Sequence, residues 1–136
     1  MGSFMSSWSK GGDALAAEGE EVGQAAVVAF HSMDSWNSHW ELHKAQPNQL
    51  MVVDFSATWC GPCRFMEPVF KRLADKYTNA VFVKIDVDEL REVAAKWTVE
   101  AMPTFVLIKG GREVDRVVGA AKAELESKIQ RQLSSK

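Results

Sequence analysis

From residue 25 onward the apolar positions change period several times along the chain, and each period predicts an element. Ala25 to Phe30 is a short apolar run that reads as a strand. Ser32 then offers an N-cap for a helix through Lys44, which Pro47 does not continue. Leu50 to Ala57 (LMVVDFSA) is apolar almost without a break rather than alternating, the pattern of a strand covered on both faces, so a central strand of a parallel sheet is predicted. Pro62 to Tyr77 places Phe65, Met66, Val69, Phe70, Leu73 and Tyr77 at three- and four-residue spacing, a helix face with Pro68 as an internal kink.

The second half continues the alternation. Ala80 to Ile85 (AVFVKI) reads as a strand, Asp88 as the cap of a helix through about Trp97, and Thr104 to Ile108 (TFVLI) as a third buried run. Gly110-Gly111 turns that run into a hairpin with Glu113 to Val118. Ala121 to Leu133 closes the chain as a helix with Leu125, Ile129 and Leu133 on one face. Strands alternating with helices of these lengths predict an α/β domain, parallel at its centre, with an antiparallel hairpin at its end.

Residues 1–24 do not share this periodicity. They are rich in Gly, Ser, Ala and Glu and carry Lys10 against Asp13, Glu18, Glu20 and Glu21, a net charge of −3. Too little apolar surface is present to offset the entropy of ordering, so a flexible N-terminal extension is predicted ahead of a folded domain at 25–136, with Phe4, Met5 and Trp8 as its apolar exceptions.

Composition removes several classes of function. The 136 residues hold 16 basic and 18 acidic side chains, with no basic block or stripe, so nucleic acid is not an expected partner. The longest uninterrupted apolar run, the six residues Ala25–Phe30, is far short of the ~20 that cross a bilayer, and no signal-peptide pattern opens the chain; an intracellular address is expected. Two cysteines do not make a secreted disulfide framework. Closing the short loop between Cys60 and Cys63 removes little chain entropy, which makes stability a poor reason for the pair.

Position gives the pair a chemical reason. Trp59-Cys60-Gly61-Pro62-Cys63 follows the buried strand and opens the helix, where free N–H groups and the positive end of the helix dipole favour a thiolate. Cys60, at the very end, is the expected nucleophile. Cys63, one turn inside, is placed to attack a mixed disulfide on Cys60 and close a Cys60–Cys63 disulfide. Gly61 permits the turn and Pro62 sits where a helix does not need its N–H. Half a zinc site is the competing reading, but no second CxxC exists and His31, His39 and His43 all precede the motif; no metal is expected. The polar, turn-forming flank argues for exposure and against an inert buried pair.

Asp54, six residues before Cys60 and inside the buried run, costs several kcal/mol as an unpaired carboxylate, about the penalty for a buried polar group. Its expected role is to exchange a proton with Cys63, the alternative being a strand-end carboxylate turned to solvent. Lys84, in the following strand, is the candidate charge partner and modulator of Asp54. Met102-Pro103-Thr104 signals a turn or strand start. His39 and His43, at i and i+4, have the spacing to bracket a metal, but a solvated helix face is the expected reading.

Taken together, VDFSATWCGPCR, the proline of PVF, KIDVDE, MPTF and VVGA resemble the thioredoxin family over roughly residues 25–134. The resemblance implies a thioredoxin fold, a central mixed sheet with a parallel core and an antiparallel hairpin, flanked by helices. It implies the attacking thiolate at Cys60, the resolving thiol at Cys63, a flanking Trp59, the buried carboxylate at Asp54 and its neighbour Lys84. It makes Pro103 the family's cis-proline, whose preceding residue Met102 offers backbone groups to an extended substrate, and Gly119 the glycine that keeps the substrate groove open. Pro68 matches the family's helix kink. Ser56 stands where many bacterial members have Trp, and Arg64 where Lys is common.

FSATWCGPCRFMEP with an N-terminal extension is similar to the plant h-type members. That likeness implies a cytoplasmic electron carrier without a bound cofactor, and a monomer is expected. Such a carrier reduces protein disulfides and draws electrons from NADPH through thioredoxin reductase, or alternatively from the glutathione and glutaredoxin system. Met1-Gly2-Ser3-Phe4-Met5-Ser6 fits the N-myristoylation pattern at Gly2. One acyl chain with no palmitoylatable cysteine beside it implies at most weak, reversible membrane association. A redox-inactive binding or holdase module on the same fold is the competing function, because fold alone does not fix activity.

Overall fold

The computed structural model describes residues 26–135. The predicted extension at 1–24 and the Gly2 lipidation candidate lie outside the described residues.

Five strands and four helices alternate: β1 Val27–Phe30, α1 Met33–Lys44, β2 Leu50–Ser56, α2 Gly61–Lys76, β3 Ala80–Asp86, α3 Arg91–Lys96, β4 Thr104–Lys109, β5 Arg112–Val118 and α4 Lys122–Ser134. The sheet order is β1-β3-β2-β4-β5. β1, β3 and β2 run parallel, while β4 is antiparallel to β2 and β5 to β4. All seven residues of β2 are buried, as its continuous apolar run predicts. The run reports burial on two faces and not the direction of the neighbours, so antiparallel pairing begins already at β2 rather than only in the terminal hairpin.

Helices cover both faces. On one, Leu50, Val52, Phe82, Phe105 and Leu107 pack against Met66, Val69, Phe70 and Leu73 of α2 and Leu125 and Ile129 of α4. On the other, Met51, Val53, Phe55 and Ile85 pack against Trp36 of α1 and Leu90, Val93 and Ala94 at α3. The period-two alternation of β2 sends successive side chains to opposite cores. Gly110 and Gly111 both adopt positive φ, 57° and 81°, which a two-residue hairpin turn requires and glycine supplies without steric cost.

Local predictions hold at α1, where the Ser32 hydroxyl accepts from the Ser35 N–H at 3.2 Å, and at α2, which carries Pro68 internally. Two expectations change. Asp88 does not cap α3: that helix starts at Arg91, with Leu90 at the cap position and no side-chain cap. Asp88 instead belongs to a turn after β3, its N–H bonded to Asp86 Oδ1 at 2.8 Å. His39 and His43 do not form a solvated face: each is buried, packed among aromatic rings, with centroids 4.7 Å apart for Phe30 and His39 and 5.4 Å for Trp40 and His43. Neighbouring Trp36 and Trp40 turn that side of α1 toward the sheet and take the histidines with them. His43 Nε2 accepts the Gly111 N–H at 3.0 Å, which joins the end of α1 to the hairpin turn.

Candidate active site

The strand-to-helix junction after β2 brings the cysteines together. Cys60 is the N-cap of α2, in extended conformation, and its sulfur accepts the Cys63 N–H at 3.2 Å. A helix leaves its first N–H groups without intrahelical acceptors, so this one is free to stabilise charge on the Cys60 sulfur once the pair is reduced. The two residues are joined as a disulfide with Cα atoms 5.2 Å apart. Both are more than nine-tenths buried, at 6% and 5% exposure, where the polar flank predicts exposure. Ala57, Val87 and Met102 pack around them and account for the difference.

Trp59 is the exposed neighbour, and its indole N–H donates to Asp88 Oδ2 at 3.0 Å. That bond is the job the Asp88 carboxylate performs in place of capping α3. Arg64 donates to the Thr58 carbonyl at 2.7 Å and pins the turn from the helix side. Across the junction the Met102–Pro103 peptide is cis, and the Met102 carbonyl oxygen lies 3.7 Å from the Cys60 sulfur. The Pro103 carbonyl accepts the Gly119 N–H at 2.8 Å. Gly119 has φ 99°, and a Cβ built on it would meet nothing within 4 Å. Glycine is therefore required there by backbone conformation and not by crowding, and the space beside it stays open.

Asp54 lies under α2. It is 2% exposed and shares the sheet face of Val52, opposite Lys84 in the β2–β3 register and opposite Phe105 on β4. The solvent-facing alternative is thereby removed. Burial, as the largest influence, pushes its carboxyl up to about 7, against a downward pull from Lys84. The expected direct Asp54–Lys84 pairing is not what the side chains form: the Lys84 ammonium is bonded to Glu67 of α2. Lys84 is the longer side chain and its head reaches the rim, where Glu67 meets it in partial solvent. Glu67 is the residue that sequence reasoning missed, although its place four residues after Cys63 on one helix face was a readable signal. A cleft of about 430 Å³ opens beside the disulfide, lined among others by Ser56, Ala57, Cys63, Glu67 and Lys84.

Among the described residues no three His, Cys, Asp or Glu side chains converge as metal ligands, and His39 and His43 stand on α1, packed with aromatic rings rather than with the cysteines. What the junction holds is a cysteine pair joined as a disulfide at a helix N-terminus, a buried carboxylate on the strand that leads into it and an open backbone edge beside it. The thioredoxin family model matches residues 27–131. The chain belongs to the thioredoxin family. Among curated thioredoxins it is 62% identical over 116 residues to thioredoxin H2-2 of Oryza sativa subsp. japonica, covering 85% of this chain and 87% of that protein. It is 47% identical over 129 residues to thioredoxin H2 of Arabidopsis thaliana, covering 95% and 96%. Among solved structures, thioredoxin NaTrxh from Nicotiana alata superposes with a TM-score of 0.77 at 58% identity, over 79% of this chain and 92% of that one.

Membership in the thioredoxin family, with the h-type relatives at this identity, makes the protein a thiol–disulfide oxidoreductase that works by dithiol–disulfide exchange at Cys60 and Cys63. Thioredoxins carry out that exchange on the two sulfurs themselves and need no bound cofactor.

Proposed function

We propose that the protein reduces disulfides of other proteins, with Cys60 attacking and Cys63 resolving. The observation that carries this assignment is the Cys63 N–H directed at the Cys60 sulfur at 3.2 Å. It gives Cys60 the place where a thiolate is held best and leaves Cys63 one turn inside. The Cys60 thiolate attacks one sulfur of the target disulfide; that bond breaks, the distal target sulfur leaves as thiolate, and a Cys60–target mixed disulfide forms. Cys63 then loses its proton to the Asp54 carboxylate and attacks the Cys60 sulfur. The Cys60–target bond breaks, the second target sulfur leaves as thiolate, and two electrons remain with the target while the protein keeps the Cys60–Cys63 disulfide.

The other residues take supporting roles in the same reading. Gly61 and Pro62 form the turn between the two sulfurs, the Met102 carbonyl beside Cys60 and the cis-Pro103 segment pair with an extended target backbone, and Gly119 leaves that edge open. Trp59, fixed by Asp88, forms the exposed wall against which a target rests. Lys84 tunes Asp54. We assign the recharging electrons to NADPH through thioredoxin reductase, with glutathione and glutaredoxin as the other donor, and the site of action to the cytoplasm, as the likeness to h-type relatives suggests. One chain holds every group the exchange uses, so the exchange needs no second copy.

The test is NADPH oxidation coupled to insulin-disulfide reduction with thioredoxin reductase, comparing the intact protein with Cys63→Ser. Turnover by the first and none by the second supports the two-cysteine reductant and its donor together. Turnover only when glutathione and glutaredoxin replace the reductase reassigns the donor. Silence with both donors, or undiminished action of Cys63→Ser, overturns the reading in favour of a binding module.

A further inference from the structure

The β2–β3 register puts Asp54 opposite Lys84, and period-two alternation turns both toward α2, on the face that carries Val52 and Phe82. A lysine in that place is the natural counter-ion of a buried carboxylate. Its ammonium is nonetheless bonded to Glu67, and Asp54 Oδ1 accepts no hydrogen bond from any described residue. Glu67 stands one turn beyond Cys63 on α2 and lines the same cleft as Cys63 and Lys84. One helix turn thus carries both the resolving sulfur and the carboxylate that captures the lysine.

We propose that Glu67 is a positioning residue of the exchange reaction: by holding the Lys84 ammonium at the rim of the cleft it keeps that cation from pairing with Asp54, and leaves the Asp54 carboxylate free to take the Cys63 proton. The proposal rests on the assignment of Asp54 as proton acceptor made above.

The charged groups that face Asp54 are Lys84 from β3 and Glu67 from α2. From β4 its opposite number is Phe105, and β1, beyond β3, sets Ala29 beside Lys84; neither carries a charge. Cys63 adds an ionisable thiol only when the disulfide is reduced. Burial raises the Asp54 carboxyl, Lys84 lowers it and Glu67 raises it. The hydrogen bond from Lys84 holds Glu67 below the ordinary glutamate value, so Glu67 stays a carboxylate wherever Asp54 titrates and the clamp persists through that range. Neutralising Glu67 acts twice in one direction. A like charge leaves the neighbourhood of Asp54, and Lys84 is released toward it; both favour the ionised carboxylate and make it a weaker base.

The decisive experiment follows the Asp54 carboxyl carbon by NMR during a pH titration of the oxidised full-length protein, in the parent, Glu67→Gln, Lys84→Met and the double variant. The pH dependence of insulin reduction is measured on the same proteins and on Asp54→Asn. Glutamine keeps the shape of Glu67, so the fold is preserved. Glu67→Gln is expected to lower the Asp54 midpoint by about one pH unit and to carry the acidic limb of the activity profile down with it. Lys84→Met raises the midpoint, and in the double variant most of the Glu67 effect disappears because no lysine remains to be released. An unchanged midpoint in Glu67→Gln, or an equal change with and without Lys84, overturns the proposal. A midpoint that moves as expected beside an activity limb that Asp54→Asn leaves untouched is a different failure: the clamp stands, and the assignment of Asp54 as proton acceptor falls.

Discussion

Burying a carboxyl among apolar side chains penalises its charged form, and at Asp54 that penalty links stability to pH. The folded protein holds the proton up to about pH 7, whereas the unfolded chain releases it near 3.8. Between those values the folded state binds more protons than the unfolded one, so stability falls as pH rises through this window and stays low above it. Asp54→Asn removes the titration. Relative to that variant, the oxidised parent should lose on the order of 4 kcal/mol between pH 3.5 and pH 8, because each tenfold change in proton affinity on folding is worth about 1.4 kcal/mol. Urea unfolding of the two proteins at both ends of the range checks this, and a difference that does not change with pH refutes it. The cost sits on the strand that leads into the reactive sulfurs, where the same proton serves the proposed chemistry.

At the scale of an element, α1 titrates in the opposite sense. Burial lowers His39 to about 4, with His43 adding to the effect, and burial lowers His43 as well. His43 must also stay neutral at Nε2 to accept the Gly111 N–H. The unfolded chain takes protons near the ordinary histidine value of 6.5 while the folded helix refuses them, so this element loses stability as pH falls from 6.5 toward 4. For His39 alone the loss is about 2 kcal/mol between pH 7 and pH 5. Relative to the parent, His39→Leu should gain stability as pH falls from 7 to 5, read by urea unfolding at both ends; a difference that does not change with pH would show that His39 does not supply the effect. The position of α1 was legible from its Ser32 cap and from Pro47. The burial of its histidines was not, because Trp36, His39, Trp40 and His43 form an apolar stripe only if the imidazoles count as rings rather than as polar groups.

In the whole molecule these two groups lie on opposite faces of the sheet, Asp54 with the α2 core and His39 with the α1 core. Between about pH 5 and pH 7 acid strengthens the Asp54 side and weakens the His39 side, so the two contributions oppose each other. Groups separated by a packed sheet and sharing no partner act independently. The pH-dependent changes that Asp54→Asn and His39→Leu make relative to the parent should therefore be opposite in sign, and should add in the double variant. Coincident slopes in the two single variants would defeat this account.

The sequence alone placed every element apart from the start of α3, and showed that β2 is covered on both faces, that the cysteines open a helix, and that a carboxylate stands in the core on the strand before them. These follow from period, caps and turn residues, which act over a few neighbouring positions. Tertiary structure alone decided that β4 runs antiparallel to β2, that Asp88 serves Trp59 rather than α3, that the α1 histidines go inward, and that Lys84 turns from Asp54 to Glu67. Each of these is a choice among partners distant in the chain, settled by which side chain reaches the other first and at what cost in lost water, and spacing along a sequence carries no record of that competition.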